Sequence, residues 1–316
     1  MESTWEVAGL QAAPGQKAQG MVAFPGAERR LPLVLVHGAG DGPVAVVTGG
    51  IHGCEYTSIE AAIQVARSLD PAQVRGRVAV LPVVNVDAYS TRTIYLHPAD
   101  RKNLNRVFPG RADGTESERL AFQVHQDLLR TCDCMIDLHG GDMNEALVPH
   151  AYSFLTGDRA LDARSLEFAK AMGLPYVYGR PTAASLGYEI VASSGKVAIL
   201  AEAGQQGILD PVQAGILAEG CRNCLRLAGI LPGEVAVHRG QKVLQALTWT
   251  RSGHFGAWYP AARLGERVKR GQKMGEVRDL LGNLLQEPCA DMDGFVVVLV
   301  TSLAINAGDP LYILTH

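Results

Sequence analysis

The sequence predicts an α/β protein in which a mostly parallel, mixed sheet flanked by helices is followed by a smaller all-β, barrel-sandwich-like domain. From about residue 43 to residue 230, short β-branched runs alternate with amphipathic stretches, a pattern typical of strands linked by helical crossovers. After residue 232 the hydrophobic period changes to two and glycines recur, which indicates short strands joined by turns. We therefore predict an α/β domain over residues 1–232 and a β domain over residues 233–316.

The α/β domain begins with short strands and continues as strand, loop and helix. Strand candidates at 21–24 and 33–36 precede any helix signal, and we assign them to the same sheet. A buried strand is predicted at 44–47, and a helix at 55–69 because its apolar residues recur at a helical spacing. Further strands are predicted at 78–84, 135–138 and 197–200, and further helices at 117–129, 160–172 and 211–227.

The C-terminal domain carries a pattern of glycines with a second interpretation. Residues 265–272 are similar to biotinyl and lipoyl carrier domains, but the turn expected at 279–283 lacks the lysine that a carrier needs. We therefore expect this domain to narrow the cleft of the α/β domain. Its predicted strand positions are 235–237, 244–250, 268, 275–277, 295–300 and 311–314.

The composition excludes several classes of function. Of 316 residues, 47% are hydrophobic and 19% charged, which excludes disorder as the main state. Lys plus Arg (29) nearly balance Asp plus Glu (32), so nothing indicates nucleic acid or an anionic membrane as a partner. No apolar run has the length of a membrane span, and six cysteines are too few for a disulfide scaffold. We expect a cytoplasmic protein with a small-molecule partner, and the sequence leaves open whether it is a homo-oligomer.

The first chemical signal is an imidazole and a carboxylate in one loop. His52 and Glu55 follow a predicted strand, at the end where open α/β sheets build their sites. Neutral imidazole and carboxylate are ligands that Zn²⁺ accepts. The alternative is a surface histidine and a glutamate that interacts with the dipole of the following helix.

Two further strand ends carry similar groups. His139 follows the strand at 135–138, and strand alternation places Asp137 on the same face, where it can orient the imidazole. Three protein ligands with one position left for water are typical of catalytic zinc. Glu202 follows the strand at 197–200 and can take a proton from water and give it to a leaving amine. The structural alternatives are a capped strand end for His139 and a loop-capping role for Glu202.

A polar, cationic loop at 101–110 lies between these segments. Arginine is the natural bidentate partner of a carboxylate, so the loop favours a substrate that carries one. A solvated basic loop is the alternative.

Together, these segments resemble the succinylglutamate desuccinylase/aspartoacylase family of the zinc carboxypeptidase superfamily. The resemblance extends over about residues 40 to 316, because 265–273 and 306–311 are similar to that family's C-terminal β domain. It implies a zinc carboxypeptidase-like fold. The motifs that carry it occur in the family's order and approximate spacing and are His52-Gly53-x-Glu55, Asn105-Arg106, Asp137-x-His139 and Glu202.

The resemblance implies a zinc-dependent amidohydrolase that removes the acyl group from a small N-acyl amino acid. His52, Glu55 and His139 would bind one Zn²⁺ per chain, and the metal would activate the attacking water. Glu202 would be the general base and acid. The alternatives are a zinc carboxypeptidase that acts on short peptides and a non-catalytic zinc- or ligand-binding relative.

Substrate recognition is also implied by the resemblance. Asn105 and Arg106 would bind the substrate's carboxylate, and Arg101 is the candidate for the arginine with which the family polarises the scissile carbonyl. N-acetylated diamino acids, N-acetylaspartate and N-succinylglutamate all remain open as substrates. The first is favoured because residues 101–110 resemble deacetylases of that type. The loop after His139 differs from the Asn- and Thr-rich loop of aspartoacylases, which counts against N-acetylaspartate.

Overall fold

A computed structural model describes residues 4–181, 186–244 and 246–316. The helices in this part of the chain are α1 (Tyr56–Ser68), α2 (Val86–Thr91), α3 (Glu116–Val124), α4 (Arg159–Ala171), α5 (Gly187–Ser193) and α6 (Pro211–Leu227). The strands that precede α6 are β1 (Trp5–Val7), β2 (Leu10–Ala12), β3 (Gln16–Val22), β4 (Leu31–His37), β5 (Gly40–Thr48), β6 (Arg75–Leu81), β7 (Cys134–His139), β8 (Glu145–Leu147), β9 (His150–Leu155), β10 (Tyr176–Pro181) and β11 (Val197–Glu202). Those that follow α6 are β12 (Lys242–Leu244), β13 (Leu247–Arg251), β14 (Gly256–Pro260), β15 (Arg267–Val268), β16 (Gly275–Arg278), β17 (Leu284–Gln286), β18 (Gly294–Val300), β19 (Ala304–Ile305) and β20 (Pro310–Thr315).

A nine-stranded mixed sheet forms the centre of the α/β part, in the order β12-β10-β9-β11-β7-β5-β6-β4-β3. Its middle strands β6, β5, β7 and β11 run parallel, whereas β9 is antiparallel to β11. Helices cover both faces: Val47 packs in the same cluster as α1, α4 and α6, and its neighbour Val46 in the cluster of α3 and α5. This architecture confirms the predicted fold class.

Two antiparallel sheets form the C-terminal part. One contains β13-β20-β18-β15, and the other contains β17-β16-β14-β19. Their shared core includes the buried side chains of Trp258 and Tyr312. Sheet pairing also joins the two halves of the chain, because β8 pairs with β18 and β12 pairs with β10. The boundary at residues 232 and 233 stays a prediction.

Several predicted elements need correction. Residues 235–237 are not a strand, because the side chain of Asn223 in α6 bonds both the N–H and the C=O of Ala236. The predicted strand at 244–250 is divided between β12 and β13, and Gln245 lies outside the described residues. The strand predicted at 78–84 ends at Leu81. Strands β9 and β10 and helix α5 were not predicted, since β9 buries the polar residues His150 and Ser153 and the other two are short and contain glycine.

The sheet brings three chemically active strand ends together. The strands β5, β7 and β11 are adjacent and parallel, so their carboxyl ends lie at one edge of the sheet. In this register Thr48 pairs with Asp137, and His139 pairs with Glu202. None of the helices in the described residues is long and apolar enough to cross a membrane.

Candidate active site

The loop between β5 and α1 presents His52 and Glu55 at this edge. Its backbone passes so close to α2 that a Cβ atom at Gly53 would lie 2.1 Å from the backbone nitrogen of Tyr89. Only glycine fits such an approach, because real Cβ atoms do not come this close to backbone atoms. The glycine of the motif therefore has a packing role that holds the two polar neighbours in place.

Three side chains converge on one point. One ligand atom from each of His52, Glu55 and His139 lies within 4.8 Å of the others, and all three residues are buried. His52 Nδ1 is 2.7 Å from Glu55 Oε1, and His139 Nδ1 is 2.9 Å from Glu55 Oε2. Two imidazole nitrogens and a carboxylate are a donor set that suits Zn²⁺.

Each of the two histidines has a hydrogen-bond partner on the ring nitrogen that faces away from Glu55. His139 Nε2 donates to Asp137 Oδ2 at 3.1 Å, and Asp137 in turn accepts the Thr48 hydroxyl at 2.7 Å. His52 Nε2 lies 3.1 Å from Asn103 Oδ1, which can only accept. Each ring therefore carries a proton on Nε2, which leaves Nδ1 as the nitrogen that faces Glu55 and that would bind a metal, as in metal-binding histidines.

The charge of the group also fits a cation. Burial by itself would raise the pKa of the Glu55 carboxyl, but His139 and His52 outweigh it and hold the pKa at about 2. Burial by itself would lower the pKa of His139. The carboxylates of Glu55 and Asp137 outweigh this effect and raise the pKa of His139 well above its ordinary value. Glu55 Oε2 is buried, and its contact with His139 Nδ1 is not aligned as a hydrogen bond, so this oxygen lacks a hydrogen-bond donor in the described residues. A divalent cation at this point would satisfy that oxygen and replace the proton of the histidine.

Glu202, at the end of β11, lines the same cleft. Burial, together with the carboxylates Glu55, Glu145 and Asp137, raises the pKa of Glu202 well above its ordinary value, although His139 opposes the shift. A carboxyl group with a raised pKa beside the three donors is suited to hold and release a proton.

The cleft itself has a volume of about 690 Å³ and lies between the two halves of the chain. The α/β part contributes His52, Glu55 and Glu202 to its lining. The C-terminal part contributes Leu247, Trp249 and Arg251 of β13 together with Pro310. A cavity of about 80 Å³ adjoins it and reaches the C-terminal residues Val298 and Ile313. The C-terminal part therefore lines the site, and its role in narrowing the cleft stays a prediction.

The loop that contains Asn105 and Arg106 borders both cavities. Asn105 is buried, its Nδ2 lies 3.3 Å from His139 Nε2, and its Oδ1 accepts the N–H of Gly187. The Arg106 guanidinium donates to the Asn105 carbonyl at 2.8 Å and lines the cleft. Arg101 has a left-handed backbone (φ 59°), and its exposed side chain lines neither cavity.

Comparison with known proteins decides the family. A model of the succinylglutamate desuccinylase/aspartoacylase catalytic domain matches residues 41–228. The chain belongs to the succinylglutamate desuccinylase/aspartoacylase family. A relative from Halomonas elongata, N-alpha-acetyl-L-2,4-diaminobutyric acid deacetylase, is 32% identical over 90% of this chain and 85% of its own.

Solved structures of the family share the whole architecture. The product-bound ectoine utilization protein EutE (DoeB) of Ruegeria pomeroyi is 28% identical, with a TM-score of 0.86 over 99% of this chain and 98% of that one. A succinylglutamate desuccinylase/aspartoacylase from Rhodobacter sphaeroides is 27% identical, with a TM-score of 0.84 over 95% of each chain. These relatives confirm the expected enzyme class, a hydrolase of the linear amides of N-acyl amino acids.

Four residues that line the cleft were not identified as site residues by the sequence reasoning. Asn103 lies in the loop already singled out, and an amide two residues before Asn105 was the available signal. Tyr95, Glu145 and Arg180 lie outside every motif, and only the fold brings them to the cleft. Arg180 is held by the buried carboxylate of Glu189, with Nε and Oε1 3.4 Å apart.

Proposed function

We propose that this protein is a zinc-dependent deacylase whose substrates are small N-acyl amino acids, with N-acetylated diamino acids as the preferred class. The observation that carries the proposal is the convergence of His52, Glu55 and His139 in a cleft that also contains Glu202 and Arg106. The substrate of the Halomonas elongata relative supports the diamino acid.

One Zn²⁺ per chain would be bound by the Nδ1 atoms of His52 and His139 and by a carboxylate oxygen of Glu55. When bound, zinc polarises the amide carbonyl and lowers the pKa of a ligated water to about 7. Asp137 and Asn103 keep the two rings in the tautomer that binds. Three protein ligands would leave the remaining coordination positions to water and substrate, as in catalytic zinc sites.

Glu202 moves the proton. Its carboxylate takes a proton from the attacking water, and the same proton passes to the nitrogen of the leaving amine when the C–N bond breaks. The acyl group leaves as a carboxylate and the amino acid as a free amine, so water supplies every atom that is added. The surroundings of Glu202 support this role, because burial raises the pKa of its carboxyl group and makes the proton easier to retain between the two transfers.

Asn105, Arg106 and Arg101 are the proposed binding and polarising groups. Arg106→Ala should lower kcat/KM mainly through a higher KM, because Arg106 holds the substrate's carboxylate. Arg101→Ala should lower kcat by about 10²- to 10³-fold with little change in KM if Arg101 polarises the carbonyl in the transition state. An unchanged kcat in Arg101→Ala would remove that residue from the mechanism and leave Arg106, Arg180 and Arg251 as the arginines that line the cleft.

The function is tested by amine release from a panel of N-acetyl, N-succinyl and N-formyl amino acids and dipeptides, with zinc-loaded protein. Glu202→Gln is the blank, and we expect it to retain zinc and to lose about 10²- to 10⁴-fold in kcat. Cleavage of dipeptides alone would indicate a carboxypeptidase. Absence of any turnover with zinc bound would indicate a binding role. Turnover that is unchanged in Glu202→Gln would exclude Glu202 as the proton carrier.

A further inference from the structure

Two hydrogen-bond acceptors face the site from one short segment, and the proposed chemistry uses neither. Glu145 is the first residue of β8, and its side chain lines both the main cleft and the adjoining cavity of about 80 Å³. His150 is the first residue of β9 and lines the same small cavity. His52 and His139 line this cavity too, so it lies directly beside the proposed metal site, within reach of a side chain of the substrate bound there.

The Glu145 carboxylate has a hydrogen-bond donor, but no basic side chain in the described residues balances its charge. The Tyr95 hydroxyl donates to Oε2 at 2.6 Å, and within the described residues no basic side chain forms an ion pair with this carboxylate. Burial raises the pKa of Glu145 to about 7, as expected for a carboxylate that waits for a partner. Three arginines line the cleft, and none of them is paired with Glu145. Arg180 pairs with Glu189, whereas Arg106 and Arg251 donate to the backbone carbonyls of Asn105 and Gly308.

His150 presents a lone pair. Its Nδ1 lies 2.7 Å from the Val148 carbonyl, which can only accept, so the ring proton is on Nδ1. The other nitrogen, Nε2, is buried and has no hydrogen-bond partner in the described part of the chain. Burial lowers the pKa of His150 to about 4, so the ring stays neutral and remains an acceptor. A buried acceptor without a donor costs free energy unless a ligand supplies the donor.

We propose that Glu145 and His150 form the subsite that binds the ammonium group of the substrate's side chain, so that they select cationic N-acyl amino acids. This inference rests on the proposed function and assigns the residues that determine its substrate class. An alkylammonium group offers three N–H donors and a positive charge, which match one carboxylate and one neutral imidazole nitrogen. The small cavity has about the volume of two or three water molecules, which suits a short aminoalkyl chain.

Glu145 and His150 also disfavour binding of the other candidate substrates. A neutral side chain would leave the Glu145 carboxylate without a counter-ion, and a second carboxylate, as in N-acetylaspartate, would be placed beside a like charge. Arg106 and Asn105 bind the carboxylate that all N-acyl amino acids share, so they do not separate these classes. Selection by charge is therefore assigned to Glu145.

The test compares kcat/KM for Nα-acetyl-2,4-diaminobutyrate with that for N-acetyl-2-aminobutyrate, which lacks only the ammonium group. We expect Glu145→Gln, which keeps the size of the side chain, to lower kcat/KM for the diamino substrate by about 10- to 100-fold. The neutral substrate should change by less than about threefold. Equal losses on both substrates, or no loss on either, would overturn the subsite, because a structural role would not distinguish the two amides.

Two further variants make the comparison specific. Glu167→Gln makes the same chemical change on the exposed face of α4 and should alter neither value. His150→Gln keeps a side-chain acceptor and should reduce the preference less than His150→Leu does. If both His150 variants retain the full preference for the diamino substrate, His150 is not part of the subsite.

A binding measurement separates this inference from the proposed function. Calorimetry with 2,4-diaminobutyrate and with 2-aminobutyrate should show tighter binding of the diamino acid, and Glu145→Gln should remove the difference. Equal binding of the two amino acids would overturn the subsite. If the wild-type protein hydrolyses neither amide and yet prefers the diamino acid in binding, the proposed function fails and the subsite stands. If it hydrolyses both amides equally well, the subsite fails and the deacylase stands.

Discussion

At the scale of single residues, each histidine of the proposed metal group is fixed by an acceptor on the nitrogen that faces away from Glu55. For His139 this acceptor is Asp137, which also accepts the Thr48 hydroxyl and is completely buried. For His52 it is Asn103. Partners of this kind set the tautomer and the orientation of a ligand, so their loss weakens a metal site without removing a ligand.

Asp137→Asn should therefore weaken zinc binding while all three donors remain. We expect an increase in the dissociation constant of zinc by about 10- to 100-fold, measured by competition with a chelator. Asp133→Asn is the matched control, because Asp133 bonds the Val44 amide at the opposite end of β7 and should leave zinc affinity unchanged. Equal affinity of Asp137→Asn and the wild-type protein would mean that Asp137 does not support His139.

At the scale of elements, the loop between β5 and α1 and the helix α2 form one packed unit. Gly53 lies against the backbone of α2, and Asn85 caps α2 by accepting the N–H of Ala88. The pattern of the sequence identified the loop from its polar residues. It did not identify the contact with α2, because a close approach of two backbones leaves no mark in hydrophobic periodicity.

Gly53→Ala should consequently disturb the packing of this loop against α2, and so weaken the site although all three metal-binding side chains remain. The added methyl group collides with the backbone of Tyr89, so we expect a loss of about 1–3 kcal/mol in the free energy of unfolding and weaker zinc binding. Urea denaturation and zinc titration measure the two effects. Gly215→Ala is the control, since its Cβ meets no atom within 4 Å in α6, and it should be neutral or slightly stabilising. Similar behaviour of the two variants would contradict this account of Gly53.

At the scale of the whole molecule, the cleft is shared between both halves of the chain. Strand β8 carries Glu145 into the site and at the same time pairs with β18, so the C-terminal part is attached to the site by a sheet. The exposed ring of Trp249 in β13 forms part of the wall, and the Arg251 guanidinium lies 5.5 Å from its centroid. We expect this wall to limit the length of the substrate that the cleft accepts.

Trp249→Ala should relax this limit. We expect kcat/KM for N-acyl amino acids with long acyl chains, and for dipeptides, to rise relative to that for N-acetyl amino acids, because the substitution removes a large side chain from the cleft. The ratio of the two kcat/KM values measures the effect. Leu281→Ala changes an exposed residue of a distant hairpin and should leave the ratio unchanged. An unaltered ratio in Trp249→Ala would show that the wall does not select for size.

The sequence by itself determined the α/β class, the change to a β-rich C-terminal part and the family's motif residues. Each of these depends on local information: hydrophobic period, turn residues, and imidazole or carboxylate groups directly after buried strands. It also predicted helices such as 211–227 with correct ends, since Asp210 and Pro211 begin that helix in the usual way.

Only the tertiary structure decided which groups meet. Strands β5, β7 and β11 are far apart in the chain, and their adjacency in the sheet places His52, Glu55 and His139 within 4.8 Å. The tautomers of the histidines depend on contacts with Asn103 and Asp137, and a lone glutamate such as Glu145 becomes informative only once it faces a cleft without a counter-charge. The physical reason is that sequence patterns report local propensity and burial, whereas distances, pairing and desolvation arise from contacts between segments remote in sequence.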